Sequence, residues 1–514
     1  MNKAFVIILC FLCLIVYVPS FNNGFIFDDN ALIVHNPFIK SVKLLPQIFK
    51  SGVYDHWAGV GLFDRMYRPL QVFSYWVDYH VWGLKPFGFR ISNILLHLFN
   101  AILIYYLLVL IFKNSAIPLA TGLLFFIHPL NSSLASYISG RADLLSAFFM
   151  IFSMVLFLRY LRLRQNNIFY FLSLLSGMAA FFCRENAGIL FLFIALILAI
   201  EKVKARDYLL IVPFILLSIL YFIVRFVIFG PSGLLMHPEI LPFSLRLVNF
   251  LNIIFKYLLL LFLPLDLHFL RGTAFIRDAA GLNAAIVWSV SLFLIGLFIR
   301  LRKKKEVFLS VIWFLAGLLP VLFLLDAYPA FRQAMMAESW VYLSSAGFFV
   351  LFVFAVSTWF KNIGLVIINI FIIFYSLLSI ANSVYLRDNI IVHKRILQYG
   401  LEPNPVRKDL VDDYLAAGLY ERAFEEARKL SGEYPDTAFS DMVWGNCYFA
   451  TRNAKQALAS YNAALSKMGR GNFFLYYRLS LCYKIIGDKA NALDFRLRSF
   501  NANPYCYAEF NKDE

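Results

Sequence analysis

Apolar stretches of about 17–22 residues recur along the first 386 residues, each long enough to cross a bilayer as a helix. The candidate spans are 4–20, 92–112, 116–131, 142–160, 168–183, 187–200, 208–229, 283–300, 307–325, 340–358 and 363–385. Short basic clusters lie between them: Lys113; Arg159, Arg162 and Arg164; Lys202, Lys204 and Arg206; residues 300–305; and Lys361. Basic loops stay on the cytoplasmic side, so every second loop lies outside. Residues 245–265 are apolar enough to span, but one more crossing would move the cluster at 300–305 outside. They are therefore expected as an interfacial or re-entrant helix. The loop at Asp28-Asp29, residues 128–141, Arg184-Glu185, residues 328–338 and the C-terminal region then share the outer side. Arg387, Lys394 and Arg395 fall outside too, which argues mildly against this count.

The first outer loop, 21–91, is the longest before the C-terminal region. Its stretch 41–49 is amphipathic and is expected on the membrane surface. From about residue 402 the pattern becomes soluble and helical. Starts near Asn404, Ala438 and Asn472-Phe473 give a period of about 34, the tetratricopeptide value. Tyr414, Tyr448 and Tyr483 mark the first helix of each unit, and Ala423, Ala457 and Ala492 the close approach of the second. Pro435 and Pro504 close the first and third units. The expected organisation is a membrane domain over 1–386, a linker over 387–403 and about three repeats over 404–514. The fold class is all-α: a polytopic membrane bundle of about 11 spans followed by a helical solenoid.

Composition agrees. The chain has 514 residues, 61% hydrophobic, 18% aromatic and only 15% charged, far from the balance of a soluble domain. The net charge of +16 sits in short clusters between spans rather than on one face, which speaks against nucleic acid. The lipid bilayer is the partner it implies. Cys10 and Cys13 have metal-type spacing but lie inside the first span; the six cysteines are read as inert thiols. The start resembles a signal peptide but is read as a retained span.

Carboxylates beside a membrane are expensive and mark functional sites. Asp28-Asp29 follows the first span at once. One carboxylate there is a candidate general base for an acceptor hydroxyl, since mutual repulsion raises one pKa; the plain alternative is a helix cap. Arg68, in the stretch Asp64-Arg65-Met66-Tyr67-Arg68-Pro69, is either a phosphate clamp or an interfacial arginine snorkelling to headgroups. His128-Pro129 leads to Gly140-Arg141-Ala142-Asp143, a helix start with an arginine that suits an anion or merely holds the loop. Arg184-Glu185 sits in a turn too tight for solvent, so its charges face a polar cavity or pair. Glu338 is a lone acid at another outer entry. No nucleotide-binding, zinc-protease or serine-hydrolase motif is present.

The ordered set of Asp28-Asp29, Tyr67-Arg68-Pro69-Leu70, His97-Leu98-Phe99-Asn100, His128-Pro129, Gly140-Arg141-Ala142-Asp143, Arg184-Glu185 and Ala337-Glu338, closing in repeats, resembles the transmembrane and tetratricopeptide-repeat O-mannosyltransferases of the GT-C superfamily. The resemblance implies an inverting transferase that uses a polyprenyl-phosphate sugar, mannose or a similar hexose, on Ser or Thr hydroxyls of extracytoplasmic proteins. It implies Asp28 as general base with Asp29 beside it. Arg141 and Arg184, with Arg68 as a further candidate, would neutralise the lipid phosphate. His128, Asp143, Glu185 and Glu338 would line the cavity, and the repeats would hold the acceptor protein. No metal or other cofactor is expected, although Asp28-Asp29 leaves a divalent cation open. The expected location is a bacterial inner membrane with periplasmic repeats, or the endoplasmic reticulum with lumenal ones. Two alternatives stand beside this reading: the same donor with a glycolipid or cell-wall glycan acceptor, and a membrane scaffold or transporter docking partners through its repeats.

Overall fold

The computed structural model describes residues 3–57, 66–112, 116–163, 167–229, 242–324, 333–399, 404–469 and 471–505. Asp64, Arg65, Lys113, Arg164 and Cys506 lie outside the described residues. The protein is a helical polytopic membrane bundle. Among the described residues nine helices are long and apolar enough to cross a membrane. The pair Ala116–Ile127 and Pro129–Ser136, bent by 52°, passes the same test taken together and as one broken span would make a tenth. The bend follows from Pro129, which removes a backbone donor; His128 takes an extended backbone there and caps Leu130 N with its ring.

Two expected spans are shorter than a bilayer. Ile168–Cys183 has 16 residues. Residues 187–200 begin with the 3-10 turn Glu185–Ile189 and leave only 12 residues in Leu190–Glu201. Both still run between the two ends of the bundle. At the basic end Arg162 bonds Leu110 O and Glu201, while Lys305 Nζ donates to Ile111 O at 3.0 Å. Arg184, at the far end of these helices, lies with Asp143 beside the acidic pair's loop.

Residues 245–265 lie mostly in the helix Phe243–Phe262, which has the length and composition of a span. Asn249 near its start bonds Ile276 in both directions, at 2.9 Å each. Phe262 at its end, half exposed, packs against Phe348, Phe352 and Phe371. The chain then turns back, and His268 N donates to Glu338 at 2.8 Å. The following helix, Leu282–Leu301, packs on the start of this segment, with Ala284 and Val287 clustered with Val248. An antiparallel pair, Leu270–Ala274 with Gln333–Ala337, covers the return.

The amphipathic stretch 41–49 folds as a 3-10 turn, Val42–Leu44, followed by a single helical turn, Leu45–Ile48, with Pro46 in its first turn; Val42 and Phe49 are exposed and Ile48 is buried. Within 387–403 the residues Asn389–Tyr399 are helical, and Ile390 and Leu397 pack against Leu410, Val411 and Tyr414 of the first hairpin. Three helical hairpins stack in sequence: Asn404–Ala416 with Tyr420–Glu433, Ala438–Ala450 with Ala454–Met468, and Phe473–Ile486 with Lys489–Ala502. Ala423 and Ala457 are fully buried where the paired helices cross. Asn446 joins successive hairpins by donating to Asp412 and accepting from Tyr461.

Gly347 sets the spacing of the pair Lys305–Leu324 and Tyr342–Trp359. A Cβ there would lie 2.7 Å from Ser310 O and 2.9 Å from Phe314 N, both rigid backbone atoms. Gly347→Leu is expected to cost about 1–3 kcal/mol. A thermal midpoint in detergent equal to wild type would show that the two helices do not pack this closely.

Candidate active site

The acidic pair is held by a backbone frame. Arg90 is fully buried and donates to Ser136 O at 2.9 Å, Asn23 O at 2.8 Å and Gly24 O at 2.9 Å. Gly24 N donates to Arg387 O. Phe27 then takes a left-handed backbone with φ +51°, a conformation that costs a bulky residue on the order of 1–3 kcal/mol. It is sustained by Asn389, whose Oδ1 accepts Phe27 N at 2.7 Å, and by its ring against Phe269 and His393.

This kink separates two neighbouring carboxylates. Asp29 points inward, fully buried, and accepts Ile26 N at 3.0 Å, Ser139 N at 2.9 Å and Ser139 Oγ at 2.5 Å. Burial pushes its carboxyl up while those donors pull it back. Asp28 is only half-buried and accepts the Tyr137 hydroxyl at 3.0 Å, with Tyr54 as a second donor. Burial raises Asp28 to about 6; Tyr137 and the Arg68 charge oppose the rise and Asp409 of the first hairpin adds to it. A carboxyl in that range serves as a base near neutrality.

Arg68 lies within electrostatic reach of Asp28 and forms a two-pronged pair with Glu185, at 2.9 and 2.6 Å. Arg184 pairs with Asp143. Burial pushes Glu185 up, but Arg68, then Arg184 and Arg225, hold it well below the usual carboxylate range. Asp28, Tyr54, Arg68, Glu185, Arg184 and Asp143 thus form one chain of interacting groups. It joins the first loop to the 3-10 turn at 185–189, whose break in the helix puts Glu185 beside Arg68.

Three other expected residues stand elsewhere. Arg141 is 1% exposed and held through all three nitrogens: it pairs with Asp78 at 2.7 Å, bonds Asn93 Oδ1, Ser74 Oγ and Phe89 O, and stacks on Tyr75. Four of its five N–H groups are engaged in tying the helices Pro69–Trp82, Pro86–Ile111 and Arg141–Leu163 together. His128 is fully buried; Nδ1 caps Leu130, Nε2 meets Leu261 O at 3.1 Å, and the ring packs between Phe349 and Tyr375. It is a helix cap rather than a cavity wall. Glu338 is buried in a pair with Arg271 at 2.9 Å and anchors the returning chain. It does border a small space between His268, Asn382 and Arg395. Sequence reading missed Tyr54, Tyr137 and Ser139, which are ordinary loop residues by type, and Arg90, whose position inside an apolar helix was a usable signal. Among the described residues no three His, Cys, Asp or Glu side chains converge on a metal-type site.

Curated relatives match parts of the chain. A Caenorhabditis elegans protein O-mannosyl-transferase is 29% identical over 153 residues, 29% of this chain and 22% of the relative. Mouse protein O-mannosyl-transferase TMTC1 is 31% identical over 185 residues, 33% of this chain and 19% of the relative. Human protein O-mannosyl-transferase TMTC4 is 28% identical over 196 residues, 34% and 26% of the two. The chain resembles the TMTC-type protein O-mannosyl-transferases. The matched part spans about a fifth to a quarter of these TMTC-type relatives. No family model and no solved structure matches the chain.

The placement of Arg141 makes a prediction. Arg141→Ala strands the buried Asp78 charge and is expected to cost about 3–5 kcal/mol. Arg141→Met with Asp78→Leu should recover much of that loss in thermal unfolding. Full stability of Arg141→Ala alone would free this arginine for the phosphate role.

Proposed function

We propose that the protein is a membrane glycosyltransferase that moves a hexose, mannose by likeness to its relatives, from a polyprenyl-phosphate donor to Ser or Thr hydroxyls of extracytoplasmic proteins. The observation that carries this reading is Asp28: a half-buried carboxyl raised to about 6, one arginine away from a cluster suited to phosphate. Asp28 takes the proton of the acceptor hydroxyl as its oxygen bonds to the anomeric carbon. The bond from that carbon to the phosphate oxygen breaks on the opposite face, and polyprenyl phosphate leaves with its electron pair. Single displacement inverts the anomeric centre. Asp29, tied to Ser139 and Ile26, positions its neighbour. Arg68 and Arg184 stabilise the charge that grows on the phosphate, most effectively in a water-poor site.

The acidic pair and the hairpins lie at the end of the bundle opposite the basic clusters. In a bacterial inner membrane that side is the periplasm; in an endoplasmic reticulum membrane it is the lumen. The hairpins come close to the same loop, with Trp57 against Phe474 at 4.9 Å and Asn503 donating to Asp55 O at 3.1 Å. This supports a role in holding an acceptor protein near Asp28.

Two measurements test the reading. Asp28→Asn should remove hexose masses from extracytoplasmic proteins while the protein still folds. Unchanged protein masses with an altered lipid or wall glycan would move the acceptor to a glycan, and no change in either would indicate a scaffold. The base acts ionised, so the wild-type rate should rise with pH through about 6 and level off above it. A rate that falls over this range would remove Asp28 from the base role. Loss of transfer in EDTA, restored by magnesium or manganese, would assign part of the phosphate neutralisation to a cation.

A further inference from the structure

Arg225 has no place in the pairing scheme of the candidate site. It stands on the buried face of the helix Val212–Phe229, with Phe214 and Tyr221, and is 7% exposed. Its Nε has no hydrogen-bond partner, and among the described residues it forms no ion pair. It lies close enough to Glu185 to act on that carboxylate, but both Glu185 oxygens are taken by Arg68. Of the three guanidinium groups around Glu185, Arg68 and Arg184 have carboxylate partners in Glu185 and Asp143, whereas Arg225 is a buried cation with no such partner among the described residues. Such a charge is expensive unless a ligand supplies its partner.

The same helix forms one wall of a groove of about 550 Å³. Phe191, Ile219, Phe222, Ile223 and Phe226 line it, and Gly188 of the 185–189 turn closes it beside the arginines. Its apolar side chains are exposed on the outside of the bundle; Ile219 is half exposed. One unpaired cation on the helix that walls one apolar groove fits a lipid with a single phosphodiester charge and a single branched chain.

We propose that Arg225 binds the phosphate of the lipid-linked donor and that this groove takes the first isoprene units of its chain. The proposal rests on the lipid-donor reading and assigns that donor a place.

The test uses the full chain in phosphatidylcholine nanodiscs with a diazirine-bearing polyprenyl phosphate, so that binding is read without sugar transfer. Adducts are expected within 188–191 and 215–226. Arg225→Ala should lower labelling about tenfold or more, the worth of a charge-assisted hydrogen bond, and Arg225→Lys should keep part of it. Removing an unpaired buried charge should not lower the thermal midpoint, which separates this outcome from unfolding. Ile219→Trp should cut labelling by filling the groove without touching the charge. Adducts on other helices with Arg225→Ala unchanged, or equal competition by phosphatidylglycerol and unlabelled polyprenyl phosphate, would overturn the site. Asp28→Asn should label like wild type. Hexose transfer lost in Asp28→Asn while labelling ignores Arg225 would sink this site and leave the transferase reading standing; transfer indifferent to Asp28 would sink the reading itself.

Discussion

Charge at the end of an apolar bundle has to be paired, and the rest of the site depends on how that is done. At about 3 Å and an effective dielectric of about 20, two opposite charges attract by on the order of 5 kcal/mol. Taking the pair out of water costs several kcal/mol per ion. A buried pair is therefore near balance as a source of stability, but breaking it is costly. Arg141 with Asp78 and Arg271 with Glu338 spend this constraint on architecture. Each locks elements that are distant in sequence. Arg68 with Glu185 and Arg184 with Asp143 belong instead to the cluster at Asp28, with arginine side chains 11% and 15% exposed against 2% for Arg141. On the proposed reading those pairs exchange partners with an incoming anion.

The acidic pair shows how local strain becomes a division of roles. Two adjacent carboxylates in regular backbone would share an environment. The left-handed Phe27 breaks that equivalence, sending Asp29 to Ser139 and leaving Asp28 between Tyr137 and Tyr54. The strain is borne by contacts from far along the chain: Asn389 to Phe27, Arg387 to Gly24, and Arg90 to Asn23 and Gly24.

Much of this was legible in the residues. Apolar runs gave most of the spans, and the run at 245–265 lies mostly in the helix Phe243–Phe262. Asp28-Asp29 and Arg184-Glu185 stood out because charge beside lipid is rare. Partner choice was not legible. Arg141 and Arg184 are the same residue type at similar depth. Only the fold shows that Asp78, 63 positions earlier, reaches the first, while Asp143 is left for the second. Arg68 and Glu185 are separated by 117 positions, so their pairing lies equally beyond any local pattern. The stretch 41–49 forms two short turns, with Pro46 in the first turn of the second, where it has no helical hydrogen bond to give. Helix lengths failed at 187–200 because the turn at 185–189 takes residues that composition alone assigns to the span.

The hairpin stack is joined to the same frame rather than tethered beside it. Asn389 begins the helix that leads into the first hairpin, and His393 on that helix meets Asp413 at 2.5 Å. At the other end Asn503 and Phe474 of the third hairpin close on Asp55 and Trp57 of the first loop. The loop that carries Asp28 is thus gripped from both ends of the stack. If the hairpins hold an acceptor protein as proposed, a rigid connection of this kind fixes the distance between that surface and Asp28. On the proposed reading, that distance selects acceptors by the reach of an exposed segment from its folded body, a geometric filter independent of the sequence around the hydroxyl.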